Sequence, residues 1–147
     1  MKQAKKSITK RKALLIVLLV AAALTAAILL RGGDSTGNVS TLAGREAFLR
    51  EFGWEIDAES EDLRTVQLPE TLEGMMAEYN EVQLDQGYDL SRHLGEQCQQ
   101  YTYLVTNYPE ADQTVLATLY IQGKTVIAGD IHSTALNGFL HGLKAEQ

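Results

Sequence analysis

The segment GDIHSTALNGFLHGL, Gly129 to Leu143, places Asp130, His132, Ser133 and His141 within a dozen residues. An acid beside an imidazole can make an oriented base, a serine added to the pair would allow acyl transfer, and a second histidine would allow metal binding. Alternation along a strand over Lys124–Ser133 puts Val126, Ala128, Asp130 and His132 on one face. Ile127, Gly129, Ile131 and Ser133 fall on the other, so the serine points away from the histidine. No G-x-S-x-G turn surrounds Ser133 either, and no catalytic residue is assigned. What survives is a candidate divalent-metal site of Asp130, His132 and His141, three ligands with a position open to water. The competing expectation is that Asp130 caps a turn, His132 ends a strand and His141 packs in the tail, with no cofactor at all.

A second set of residues is rich in rings and amides. Tyr79, Asn80, Gln83, Gln86, Asp89, Tyr101 and Tyr103 could line a groove for a peptide or glycan. Against that, Tyr101, Tyr103 and Val105 share a strand face that is predicted to pack on the helix Leu72–Val82, and Gly87 and Asp89 suit a helix-ending turn. Cys98 sits among Gln97, Gln99 and Gln100, with no cation nearby to lower its thiol pKa, and reads as packed and inert.

The elements that must position these residues follow from periodicity. Leu42, Phe48, Leu49 and Phe52 repeat at helical spacing before Gly53, and Trp54 with Ile56 are expected to return onto the core. Glu59–Asp62 reads as a solvated turn and Leu63–Leu68 as one short strand. Pro69 suits the first position of the next helix, in which Leu72, Met75, Met76, Tyr79 and Val82 repeat up to Gly87. YTYLVTNYP reads as a strand, and Thr114–Ile121 and Lys124–Ile131 flank a Gln122-Gly123 hairpin turn. The fold class expected is α+β, with two helices packed on an antiparallel sheet of three or four strands and the segment Ala135–Leu143 folded back on it.

Ahead of this domain lies an apolar run, Ala13–Leu30, with Thr25 as its only polar member. As a helix it would span roughly 27 Å, close to the ~30 Å hydrocarbon core of a bilayer. Six basic residues precede it and Arg31 follows, which predicts an N-terminus in the cytoplasm and a chain that continues outside. The run is longer than the apolar core of a signal peptide, so a retained anchor is expected over cleavage. The layout predicted is a basic tail at 1–12, a transmembrane signal-anchor at 13–30, a flexible tether at 31–40 and an extracytoplasmic domain at 41–147. From Asp34 onward six basic residues face nineteen acidic ones, a net of −13, which argues against nucleic acid and anionic lipid headgroups as partners. A single cysteine in an exported domain of this size points to a bacterium rather than a disulfide-reliant secretory pathway.

Four stretches carry a family resemblance: FLREFGWEID (48–57), YNEVQLDQGYDLS (79–91), YTYLVTNYP (101–109) and IAGDIHSTALNGFLHGL (127–143). In their order and over nearly the whole exported part, the chain resembles a family of small membrane-anchored proteins of clostridial Gram-positive bacteria whose exported domain is of unknown function. The resemblance implies a bacterial source and the anchor-plus-domain layout, and supplies no activity. The preferred expectation is a binding or interaction module at the cell envelope, with the bilayer and another envelope protein as partners. A metal-dependent envelope enzyme using Asp130, His132 and His141 is the first alternative, and a small inhibitor or sensor domain for an exported partner is the second.

Overall fold

The side chain of Thr41 accepts from the Gly44 amide and starts the first helix, α1 (Leu42–Glu51), which ends where Gly53 takes a φ of 90°. This computed structural model describes residues 37–109 and 112–144. The predicted tail and membrane anchor at 1–12 and 13–30 lie outside the described residues, among which no helix is long and apolar enough to cross a membrane. After α1 come β1 (Ile56–Gln67), α2 (Met75–Leu84), a 3-10 turn at Leu90–His93, β2 (Gln97–Val105), β3 (Val115–Gln122), β4 (Thr125–Ser133) and β5 (Leu140–His141). The strands form one sheet in the order β1-β2-β3-β4-β5, every neighbour antiparallel. The two helices on an antiparallel sheet are as expected; the fifth strand, two residues long, is the return of the tail.

Three local features depart from the simple periodic pattern. Glu59–Asp62 is not a turn between elements but part of β1. The residues Ala58–Glu61 bulge opposite Tyr103, and the Ser60 hydroxyl takes the Leu104 amide that a regular ladder would leave to backbone. The second helix begins at Met75, not Pro69. Leu68 N–H and Pro69 C=O are held by Glu96 and Gly95, so no helix starts there; the chain bends at Glu70 and Thr71, and Gly74, at a φ of 57°, leads into α2. A second bulge leaves Ile127 without a partner between Val126 and Ala128, which moves Val126 to the face opposite Asp130.

The two sheet faces have different tasks. Tyr103, Val105, Val115, Ala117, Leu119, Val126 and Ile131 pack with Phe48 and Leu49 of α1, and with Trp54 and Leu143. The predicted packing of Tyr101, Tyr103 and Val105 on the second helix is therefore corrected: their face is covered by α1. Val39, expected in the tether, is buried in the same core. Glu61 is drawn in by the β1 bulge, where its carboxylate accepts from Arg45 at 2.7 Å and from the Tyr103 hydroxyl, while Arg45 also donates to the Val39 carbonyl and lies 3.7 Å over the Tyr101 ring. Burial pushes the Glu61 carboxyl up, but the donors Tyr103 and Arg45 hold it below its ordinary value. The opposite face carries a smaller cluster of Leu68, Leu90, Cys98, Ile127 and Ala128, with Met76 and Tyr79 of α2 packed against it. Because the α1 side holds most of the buried apolar side chains, the α2 side can keep polar groups and an opening.

Candidate functional site

Between α2 and that second face lies a cleft of about 570 Å³. Met75, Met76 and Val82 of α2 and Leu140 of β5 supply apolar walls, and Gln100, Thr118, Tyr120, Asp130 and His132 project from the sheet. Strand pairing explains the convergence. Thr118 pairs with Asp130 and Tyr120 with Ala128, so one face of β3 and β4 presents Thr118, Tyr120, Asp130 and His132 together, and Leu140 joins them by pairing with His132.

Asp130 is 3% exposed, and both its carboxylate oxygens are engaged. Tyr79 Oη donates to Oδ2 at 2.6 Å, and His132 Nδ1 lies 2.7 Å from Oδ1. A carboxylate removed from water in this way needs such donors. The hydrogen bond and charge of Asp130 raise the His132 pKa above its ordinary value even though partial burial opposes this. Nδ1 is thereby fixed as the nitrogen facing the carboxylate, and no hydrogen bond among the described residues uses Nε2. Burial and then the Asp130 charge push the Tyr79 hydroxyl far above its ordinary range, so it stays a neutral donor. The Tyr120 hydroxyl is raised for the same two reasons; it accepts from Gln100 at 2.8 Å, and its ring meets Tyr79 edge-on at 6.1 Å.

His141 does not join this site. It pairs with Ile131, which gives it the α1 face, where it stacks on Phe139 and approaches Tyr108 and Trp54. Both its ring nitrogens are occupied, Nδ1 by the Gly142 carbonyl at 2.6 Å and Nε2 by the Tyr108 hydroxyl at 3.2 Å. The expected three-ligand set Asp130, His132 and His141 is therefore split between two faces. Among the described residues no three His, Cys, Asp or Glu side chains converge as a metal set. Ser133 faces away as alternation predicts, its hydroxyl donating to Gln113. Cys98 is buried, and burial raises its thiol pKa.

The ring-and-amide set also divides. Tyr79 alone lines the cleft, and what positions it is a contact 51 residues distant in sequence. Tyr101 and Tyr103 lie under α1 with Arg45. Asn80 is buried and accepts from the Leu90 amide at 2.8 Å, and Asp89 caps the 3-10 turn through Ser91. Gln83 and Gln86 finish the sheet. Because β5 pairs only with Ile131 and His132, the outward amide and carbonyl of Gly129 lack a strand partner, and these two glutamines take them at 2.9 and 3.0 Å. The residues that sequence reasoning left out of the cleft are Met75, Met76, Glu78, Val82, Gln100, Thr118, Tyr120 and Leu140. All but Glu78 are apolar or neutral types with no chemical signal; the register of β2 to β5 gathers Gln100, Thr118, Tyr120 and Leu140, and the packing of α2 on that face adds Met75, Met76, Glu78 and Val82.

A family model described as a domain of unknown function, DUF4830, matches residues 48–131. The match takes in Tyr79, Tyr120 and Asp130 and stops one residue before His132. No curated protein and no solved structure matches the chain.

Proposed function

The chain belongs to the DUF4830 family, whose description assigns no chemistry, and from the geometry of its own cleft we propose that it is a binding module. One observation carries the reading: an open cleft of about 570 Å³ with apolar walls and a few converging polar groups, a volume in the range of small-molecule sites. Binding is favoured over turnover by what surrounds His132. Ser133 is on the other face, Cys98 is buried, and the Thr118 hydroxyl is paired with that of Thr102 at 3.2 Å. The apolar run at 13–30 supports placing this module outside the cytoplasmic membrane of a bacterium, anchored by a single span.

Two experiments test these statements. A fragment screen followed by NMR should give hits that shift Tyr79, Tyr120 and His132 resonances, and Val82→Glu in the cleft wall should abolish them; hits that map elsewhere and ignore the variant would overturn the cleft as the site. For the anchor, the chain should stay with bacterial membranes through alkaline carbonate extraction and become protease-sensitive from outside. Release into the supernatant would remove that part of the proposal.

A second reading is favoured by the Asp130–His132 pair itself. A carboxylate on Nδ1 that leaves Nε2 unpaired is the arrangement of an oriented general base, and hydrolysis by a base-activated water would use it. Ester or amide turnover that is lost in His132→Gln would support this reading.

A further inference from the structure

The geometry points to a ligand with a single carboxylate on an apolar body, its carboxylate accepting from Nε2–H of His132 and its body lying along Met75, Met76, Val82 and Leu140. This rests on the cleft being the binding site. Asp130, the most buried charge there, is 3% exposed and its charge is already compensated by donors on both oxygens, Tyr79 and His132, which leaves it a poor anchor for an incoming cation. His132 is the group with capacity left over. Its Nδ1 is spent on Asp130, and when the ring is charged Nε2 is a donor with no acceptor among the described residues. An acceptor that is itself charged makes the stronger, shorter bond to such a donor.

The acidity of the chain from Asp34 onward opposes any anion. That field is spread over the surface and is screened beyond about 10 Å at 0.1 M salt, whereas a hydrogen bond to Nε2 acts at contact in a partly desolvated cleft. The one acid at the cleft rim is Glu78, which is exposed. The groups facing His132 from each packed element are Asp130 on its own strand, Glu78 and Tyr79 on α2, and Tyr120 on β3; β2 contributes the neutral Gln100 and β5 the apolar Leu140. Both tyrosine hydroxyls are held protonated by burial, so the imidazole is the cleft group whose charge changes near neutrality. Carboxylate affinity is then full below the His132 pKa and falls about tenfold for each pH unit above it.

The test uses the full chain in nanodiscs of zwitterionic lipid, with three probes of one shape: 3-phenylpropanoate, 3-phenylpropanol and 3-phenylpropylamine. Binding is followed by NMR at Tyr79, Tyr120 and His132, with empty nanodiscs as the blank for partition into lipid. At pH 6 the carboxylate should bind at least tenfold more tightly than the alcohol or the amine, and His132→Gln should erase the difference. Glu78→Gln, at an exposed position that does not threaten the fold, should tighten the carboxylate about twofold by removing one like charge from the rim. If the amine binds as tightly as the carboxylate, or if Glu78→Gln weakens the carboxylate, the ligand class is wrong while the cleft remains a site. If none of the three probes moves the cleft resonances, this inference and the binding reading fall together.

Discussion

Replacing Tyr79 with Phe removes one oxygen and leaves the ring that packs edge-on against Tyr120. The lost atom is the donor to Asp130 Oδ2 at 2.6 Å, one of the two donors that hold this carboxylate, which is 3% exposed. A hydrogen bond to a buried charged group contributes about 1.5–3 kcal/mol, so Tyr79→Phe should lower the unfolding free energy by about that amount. The variant also leaves His132 as the sole partner of the carboxylate, which favours the imidazolium and raises the His132 pKa further. A folded-state pKa above the unfolded one gives stability that is fully present below the unfolded value, ordinarily 6.5, and is lost as pH rises through the folded value. The variant, with the higher folded pKa, should therefore lose less stability at pH 5.5 than at pH 9. Urea denaturation of the Thr36–Gln147 unit at both pH values, followed by the fluorescence of buried Trp54, measures the loss, and NMR titration of the imidazole measures the pKa. A loss under about 0.5 kcal/mol at both pH values, or a His132 pKa that falls, would show that Tyr79 does not carry the Asp130 charge.

Other perturbations reach the rest of the structure. Asp130→Asn should drop the His132 pKa below its ordinary value, because burial then acts without the carboxylate, and should remove the extra stability at acid pH; an unchanged titration would contradict the pairing. Arg45→Met removes a guanidinium whose side chain is only 4% exposed but leaves the Glu61 carboxylate, 30% exposed, within reach of water, and should cost about 1–3 kcal/mol in denaturant melts, with Glu61→Gln costing at least as much because it leaves the buried guanidinium without its counter-charge. Gly44→Ala reverses the usual helix preference. Alanine normally gains up to about 1 kcal/mol over glycine inside a helix, but here the added Cβ would lie 2.0 Å from the Asn38 carbonyl oxygen, so a fall in melting temperature is expected where propensity predicts a rise. Asn80→Ala should cost about 1–3 kcal/mol by orphaning the buried Leu90 amide, read as faster hydrogen exchange at Leu90.

What the sequence made legible was whatever repeats locally. Asp130 and His132 are two residues apart on a strand, so alternation alone put them side by side, and Ser133 was excluded on the same ground. Alternation fails where pairing slips, as at the Ile127 bulge and at Ala58–Glu61, because nothing in a short run of residues says that its partner strand is one or more residues short. Contacts between distant positions have no local signature at all: Tyr79 reaches Asp130 across 51 residues, and Arg45 reaches Tyr103 across 58. Gln83 and Gln86 illustrate a subtler failure. Both were expected to line a groove, but Gln83 in the last turn of α2 and Gln86 in the turn after it bond the backbone of Gly129, which has no strand partner on that side because β5 is two residues long.

The composition of the site turns on parity in that same short strand. His141 opposite Ile131 faces α1, and a slip of one residue would set it opposite His132, on the cleft wall now formed by Leu140. The register is held against such a slip from several sides. Leu143 is fully buried against the α1 core, its amide bonds Gln86 at 2.6 Å, its carbonyl accepts from the Trp54 indole at 2.6 Å, and both ring nitrogens of His141 are engaged. Moving His141 into the cleft would break these contacts together and expose Leu143. The packing of the C-terminal segment therefore keeps the Asp130–His132 pair in the cleft with one unspent imidazole nitrogen, and bringing His141 to that pair as a third ligand would require a different core.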